Sequence, residues 1–155
     1  MQKSFVTVKI DEHWFGIDVS TIREIIRSVE ITSVALAPDY IAGLINLRGQ
    51  IIPVIDSGVK LGTEKKETGL AKKCIIMKTM NENPATGSRE IMGILVDSIG
   101  DIIIIDETEI ESVPPNVGDI NTRYIEGIIK LEDKLLTLLK IKEFLLFEKQ
   151  SYSVV

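Results

Sequence analysis

His13 is the only histidine in the 155 residues and Cys74 the only cysteine, so the side chains that most often carry acid–base, nucleophilic or metal chemistry each occur once. His13 stands beside Asp11 and Glu12 in a segment that reads as a turn. A general base needs a proton donor within hydrogen-bond reach and a third group to orient it. No serine or cysteine stands in a recognisable setting for that role, and His13 reads as a solvated turn residue. One histidine and one cysteine also make a poor metal-ligand set. The densest carboxylates are Asp97, Asp101, Asp106, Glu107, Glu109 and Glu111. They lack the glycine-turned spacing of a calcium loop and read as a solvated edge. No glycine cluster joins a strand to a helix as a phosphate loop requires, and the aromatics are too scattered for a base-stacking platform. The sequence points to no catalytic residue, no metal and no cofactor.

Composition narrows the partners. A formal charge of −5 argues against nucleic acid, which needs a basic face. The basic doublets Lys65-Lys66 and Lys72-Lys73 flank a polar stretch and read as solubilising charge. Cys74 introduces the apolar run Ile75-Ile76-Met77, which predicts a buried thiol in a reduced cytoplasm. Met1-Gln2-Lys3-Ser4 leads into an alternating pattern with no secretory signal. Ile102–Ile105 and Leu135–Leu139 are too short to cross a bilayer, so no direct membrane insertion is expected.

The elements that would position any functional surface are written twice. Tyr40-Ile41-Ala42-Gly43-Leu44-Ile45-Asn46-Leu47 recurs as Tyr124-Ile125-Glu126-Gly127-Ile128-Ile129-Lys130-Leu131, an offset of 124 − 40 = 84 residues. The register holds onward: Ile51, Ile52, Val54, Ile55 and Leu61 fall opposite Leu135, Leu136, Leu138, Leu139 and Leu145. Two copies so far apart point to two similar subdomains, not a solenoid. Each would be too small to stand alone, so the two should share a core. The division expected is residues 15–70 and 71–147, with a strand at 4–10 able to pack with either and a tail at 148–155. Residues common to both copies serve the fold, and residues that differ are where function is sought.

Along the chain, Phe5–Ile10 alternates as a half-buried strand, and Trp14–Ile17 reads as another. A short helix is then expected, capped by Asp18 or Ser20, with Ile22, Ile25 and Ile26 on its apolar face. Ile31–Val34 reads as a strand and Pro38 as the start of a helical turn. Strands at 44–47 and 50–55 flank a tight Arg48-Gly49 turn, and Leu61-Gly62 suggests a helix end. Residues 63–73 read as a linker, 75–78 and 91–96 as strands around a loop, and Ile102–Ile105 as a continuous buried strand. Residues 113–122 read as loop, and a helix should close the second copy at 141–147. About ten short strands with few helices suggest paired all-β units.

Within the first copy, Asn46, Arg48, Gly49 and Pro53 replace what is Lys130, Glu132, Asp133 and Thr137 in the second. Gly49 suits a hairpin needing positive φ. Pro53 cannot donate to a ladder and belongs at an edge or bulge. Arg48 has no structural reason of its own. Polar and backbone-perturbing residues gathered in one copy suggest a docking face.

The run Asn46-Leu47-Arg48-Gly49-Gln50-Ile51-Ile52-Pro53-Val54-Ile55-Asp56, preceded by Ile41-Ala42-Gly43-Leu44-Ile45, resembles the CheW family of chemotaxis coupling proteins. Phe15-Gly16-Ile17-Asp18-Val19, Ile22-Arg23-Glu24-Ile25, Gly93-Ile94-Leu95-Val96-Asp97 and Tyr124-Ile125-Glu126-Gly127 resemble further family motifs in the family's order, so that the likeness spans residues 4 to about 147. The resemblance implies a mainly β fold of two five-stranded SH3-like barrels packed on a shared hydrophobic core, with a few short helices. It implies a non-enzymatic adaptor, cytoplasmic at membrane-associated receptor arrays, coupling transmembrane chemoreceptors to the histidine kinase CheA. A paralogue serving a pilus, gliding or other chemosensory pathway is the alternative. The partners implied are the CheW-like regulatory domain of CheA and the signalling tip of the receptors. By matching motif positions, Ile22, Glu24, Ile25, Asn46, Arg48 and Gly49 form the receptor-facing region. Two departures, Ser57-Gly58 after Asp56 and Lys140 where the family often has aspartate, fall at the starts of expected helices.

If His13 does no chemistry, His13→Ala should fold normally and retain kinase coupling in a reconstituted assay. Loss of coupling by a folded variant would reveal an overlooked site.

Overall fold

The computed structural model describes residues 1–63, 72–78, 91–113 and 122–146. The expected linker at 63–73, the loop between 78 and 91 and the loop at 113–122 lie mostly outside the described residues. The first hairpin follows from local chemistry. β1 (Gln2–Ile10) pairs antiparallel with β2 (His13–Asp18), with Ile10 opposite His13. Asp11 and Glu12 form the two-residue connection with φ of 47° and 70°, the doubly left-handed turn whose twist matches its strands. His13 therefore opens a strand, exposed, instead of sitting in the turn.

The helix expected after Asp18 is absent. Asp18 does cap a turn, its Oδ1 accepting from Ser20 N at 2.9 Å, but the turn is a three-residue 3-10 helix at Val19–Thr21. Ile22–Ile26 then runs on as strand β3, paired antiparallel to β6 (Lys73–Met77). Three isoleucines in five residues favour a pleated, half-buried surface over a helix once a partner strand is available. Ile31–Val34 is reduced to a single bridge between Thr32 and Leu44. At Pro38 a turn forms in which Ile41 N donates to Pro38 O at 2.9 Å.

The remaining elements follow the repeat. β4 (Ile41–Leu47), β5 (Gln50–Asp56) and helix α1 (Ser57–Lys60) have their counterparts in β9 (Ile125–Lys130), β10 (Leu135–Leu139) and α2 (Ile141–Phe144). Equivalent hydrogen bonds hold the two copies. Asp56 N donates to Tyr40 O and Lys140 N to Tyr124 O, both at 2.7 Å, and Leu44 N donates to Thr32 O as Ile128 N does to Glu111 O, both at 2.8 Å. The departures noted in sequence leave both helices standing. Asp56 Oδ1 accepts from Val59 N at 3.3 Å, whereas Lys140 supplies no side-chain cap.

β7 (Met92–Val96) and β8 (Ser98–Asp106) complete two five-stranded sheets, ordered β8-β1-β2-β10-β9 and β3-β6-β7-β5-β4. Contiguous halves at 15–70 and 71–147 do not describe them. β6 and β7 join the sheet of the first copy, while β1 and β2 join the sheet of the second. The N-terminal strands thus cross to the later copy, and the two sheets interlock along the chain.

Each sheet buries both faces in its centre, which explains the unbroken apolar runs. In β6, Cys74 and Ile76 face a cluster private to that sheet with Ile45, Ile52, Val54 and Leu95. Ile75 and Met77 face the other way into a cluster shared by both sheets, with Ile55, Ile94 and Val96 meeting Val6, Val8, Ile10, Phe15 and Ile17. The second sheet has its own cluster of Phe5, Ile105, Ile129, Leu136 and Leu138. β8 differs from the continuous buried strand expected of its sequence. Its place at the edge leaves Ile102 and Ile104 62% and 65% exposed, with only Ile105 buried.

Equivalent residues of the copies also meet. Lys60 Nζ is buried 4.4 Å over the Tyr40 ring and donates to Leu146 O at 2.7 Å. The residue at the same place in the second copy, Phe144, packs edge-on against Tyr124 at 5.5 Å between ring centroids.

Burial pushes the Cys74 thiol up from 9.0 to about 12. A raised pKa favours the folded state below the unfolded value, and the contribution is lost as pH rises from about 9 through about 12. Native protein at pH 8 should resist an alkylating reagent and react only on unfolding. Rapid stoichiometric labelling of folded protein would contradict the burial.

Candidate functional site

Ile22, Glu24 and Ile25 arrive on β3, and Asn46, Arg48 and Gly49 on the β4–β5 hairpin. These elements are the two edges of one sheet, and the strand order alone would set them far apart. The sheet curls enough to close that distance. Just past β3, Thr32 bridges Leu44 on β4, and Arg48 Nη1 and Nη2 donate to Glu24 Oε1 and Oε2, each at 3.1 Å. Two contacts the sequence did not announce therefore bring β3, with Ile22, Glu24 and Ile25, to the β4–β5 hairpin, with Asn46, Arg48 and Gly49, and join them at Glu24 and Arg48.

The expectation that Arg48 lacks a structural role is corrected by that fork. The pair is parallel and bidentate, the arrangement a planar guanidinium favours. It lies open to water, with the arginine side chain 71% and the glutamate 26% exposed, so its net contribution to stability is small.

The hairpin itself is built by its neighbours. Arg48 and Gly49 take φ of 51° and 85°, so both turn residues are left-handed. Nothing lies within 4 Å of where a Gly49 side chain would begin, so its glycine answers to backbone angle and not to space. Asn46 is exposed and its Oδ1 accepts from Gly49 N at 2.9 Å. Arginine in this conformation is disfavoured, by roughly 1–2 kcal/mol. The equivalents Glu132 and Asp133 have no such φ. Pro53 sits in an interior strand and not at an edge, but the β7 ladder begins only one residue later, at Val54 opposite Gly93.

Apolar surface completes the corner. Ile22 is half-buried, Ile25 is 42% exposed, and Ile51, beside Asn46 in the hairpin register, is exposed. Arg23 and Arg27, also exposed, were not singled out in the sequence, where the apolar residues of this segment and the differences between the two copies carried the signal. Elsewhere the acidic residues serve local structure. Asp97 Oδ2 accepts from Asp11 N at 2.7 Å, and Asp106 Oδ1 from Thr108 N at 3.0 Å. Among the described residues no group of three His, Cys, Asp or Glu side chains is arranged to hold a metal ion, and no helix is long and apolar enough to cross a membrane.

The model of the CheW-like domain family matches residues 4–148. The chain belongs to the CheW-like family. The chemotaxis protein CheW of Bacillus subtilis strain 168 is 33% identical over 126 residues, covering 81% of this chain and 75% of that protein. CheW of Klebsiella aerogenes is 26% identical over 149 residues, covering 96% of this chain and 85% of the relative. The crystal structure of the scaffolding protein TtCheW from Thermoanaerobacter tengcongensis superposes with a TM-score of 0.80 at 33% identity, covering 96% of this chain and 90% of that one. The CheW-like chain is thus a member of a family of chemotaxis scaffold proteins, with the mainly β fold and few helices expected of it, the strands forming two five-stranded sheets.

A double-mutant cycle on Glu24 and Arg48 should give a coupling of about 0.2–1 kcal/mol in chemical denaturation, shrinking in 1 M salt. No coupling at low salt would mean the fork does not persist in solution.

Proposed function

We propose that this CheW-like protein is a non-enzymatic adaptor in the cytoplasm that couples transmembrane chemoreceptors to the histidine kinase CheA in membrane-associated arrays. The observation that carries the reading is the family match over residues 4–148. The receptor-facing region is the corner of Ile22, Glu24, Ile25, Asn46, Arg48 and Gly49. Within it the roles divide. Asn46 and Gly49 set the turn, Glu24 holds the guanidinium, and Ile25 with Arg48 offers contact to the partner. A receptor signalling tip is a helical hairpin, and an exposed apolar residue beside an arginine fork suits one helix laid across the corner. The regulatory domain of CheA would bind elsewhere on the same molecule.

Reconstitution with CheA and a receptor signalling fragment tests the reading: kinase activity should depend on this protein, and its indifference would reject the adaptor role.

Arg48→Gly separates contact from fold. Glycine relieves the left-handed backbone while the open ion pair is lost, two effects of about 1 kcal/mol with opposite sign. The melting temperature should stay near that of the unaltered protein while receptor affinity falls roughly ten- to a hundred-fold. Unchanged affinity would leave Arg48 as a hairpin residue only.

A further inference from the structure

On either side of Glu24, β3 and the bend after it carry charge that no ion pair among the described residues uses. Arg23 and Ile25 alternate outward along the strand, and Arg27 follows at the bend that ends it; all three are exposed. Among the described residues β3 is an edge strand paired only to β6. Its one carboxylate, Glu24, is engaged by Arg48. Among the described residues neither Arg23 nor Arg27 forms an ion pair, whereas Lys3, Lys9, Lys72 and Lys130 all do. In a chain of net charge −5, two unpaired guanidinium groups bracketing an exposed isoleucine are a local reversal of the overall sign.

We infer that Arg23, Ile25 and Arg27 form the specificity-determining strip of the docking face, and that it fits an amphipathic helix bearing an apolar stripe flanked by carboxylates. The inference rests on the reading that β3 faces the receptor. Spacing makes the partner more specific. Four residues of extended chain separate Arg23 from Arg27, at most about 13 Å. A helix lying along the strand rises 1.5 Å per residue, so carboxylates seven or eight residues apart cover about 10–12 Å and stay on one face. Arginine's planar fork can take each carboxylate bidentately, and Ile25 between them meets the apolar stripe. Exposed charges of this kind act mainly on partner choice and encounter rate, and weaken with salt.

The test uses the full chain titrated with a recombinant receptor signalling fragment at low and high salt. The Arg23→Glu/Arg27→Glu variant should lose about ten-fold or more in affinity at low salt. A fragment in which two carboxylates seven residues apart are changed to lysine should restore binding to that variant and weaken binding to the unaltered protein. Thermal melts check folding, and Arg23→Gln/Arg27→Gln serves if the reversed charges prevent it. Unchanged binding by the charge variants, with loss in Ile25→Asp, keeps β3 as the receptor face and overturns the acidic-helix partner. Unchanged binding in all of them overturns both. Loss of binding to vesicles of anionic lipid, with receptor affinity intact, would assign the strip to a membrane surface and likewise overturn the inference.

Discussion

Neither sheet can bury its inner face alone, and the rest of the structure depends on that constraint. The central strands are apolar on both sides. One side fills a cluster private to its own sheet, and the other must find cover. Cover comes from the opposite sheet, where Ile75, Met77 and Ile94 meet Val8, Phe15 and Ile17, and from Leu61, Ile141, Phe144 and Leu145 beside them. Burial of apolar area is the dominant favourable term in folding, so the two sheets are coupled into one cooperative body. The crossing of β1 and β2 to the later copy strengthens that coupling, because each sheet is assembled from distant parts of the chain.

With the interior committed, the surface is free to differ between copies. The hydrogen bonds that close each strand–strand–helix unit are the same, yet the hairpin of one copy carries Arg48-Gly49 and that of the other Glu132-Asp133. Duplication supplied two equivalent frames, and only one was furnished with a left-handed arginine held by a glutamate from across the sheet. The same asymmetry holds at the edges. β3 and the bend after it present Arg23 and Arg27, while β8 presents Ile102 and Ile104 and runs into the carboxylates that follow it. The two similar sheets thus expose chemically unlike edges.

The placement of Lys60 shows how near-symmetry is used inside the molecule. Its counterpart is Phe144, an ordinary core residue, and an ammonium at the equivalent position has to be accommodated. Aromatic faces and a backbone carbonyl accommodate it: Tyr40 lies 4.4 Å from Nζ, Tyr124 5.5 Å, and Leu146 O accepts a hydrogen bond at 2.7 Å. The amine ties helix α1 to the end of the second copy, where a leucine at residue 60 would only fill space.

Much of the fold was legible because its causes are local or periodic. The 84-residue repeat, the Arg48-Gly49 hairpin, the helix end at Leu61-Gly62 and the buried Cys74 all follow from side-chain chemistry and turn geometry that neighbours in sequence determine. Ile22–Ile26 misled because a run of isoleucines fits either a helical face or a strand, and the choice fell to β6, some fifty residues away. Ile102–Ile105 misled for a related reason: an edge position leaves alternate residues in water, and no composition reveals which strand stands at an edge. The candidate corner divides in the same way. Gly49 declares its turn in the sequence, but the hydrogen bond that Asn46 accepts from it and the grip of Glu24 on Arg48 appear only once the chain folds. Sequence by itself determined the duplicated elements and their apolar interior, since those depend on spacing along the chain. Tertiary structure alone decided which residues share a surface, since that depends on how opposite edges of a twisted sheet meet.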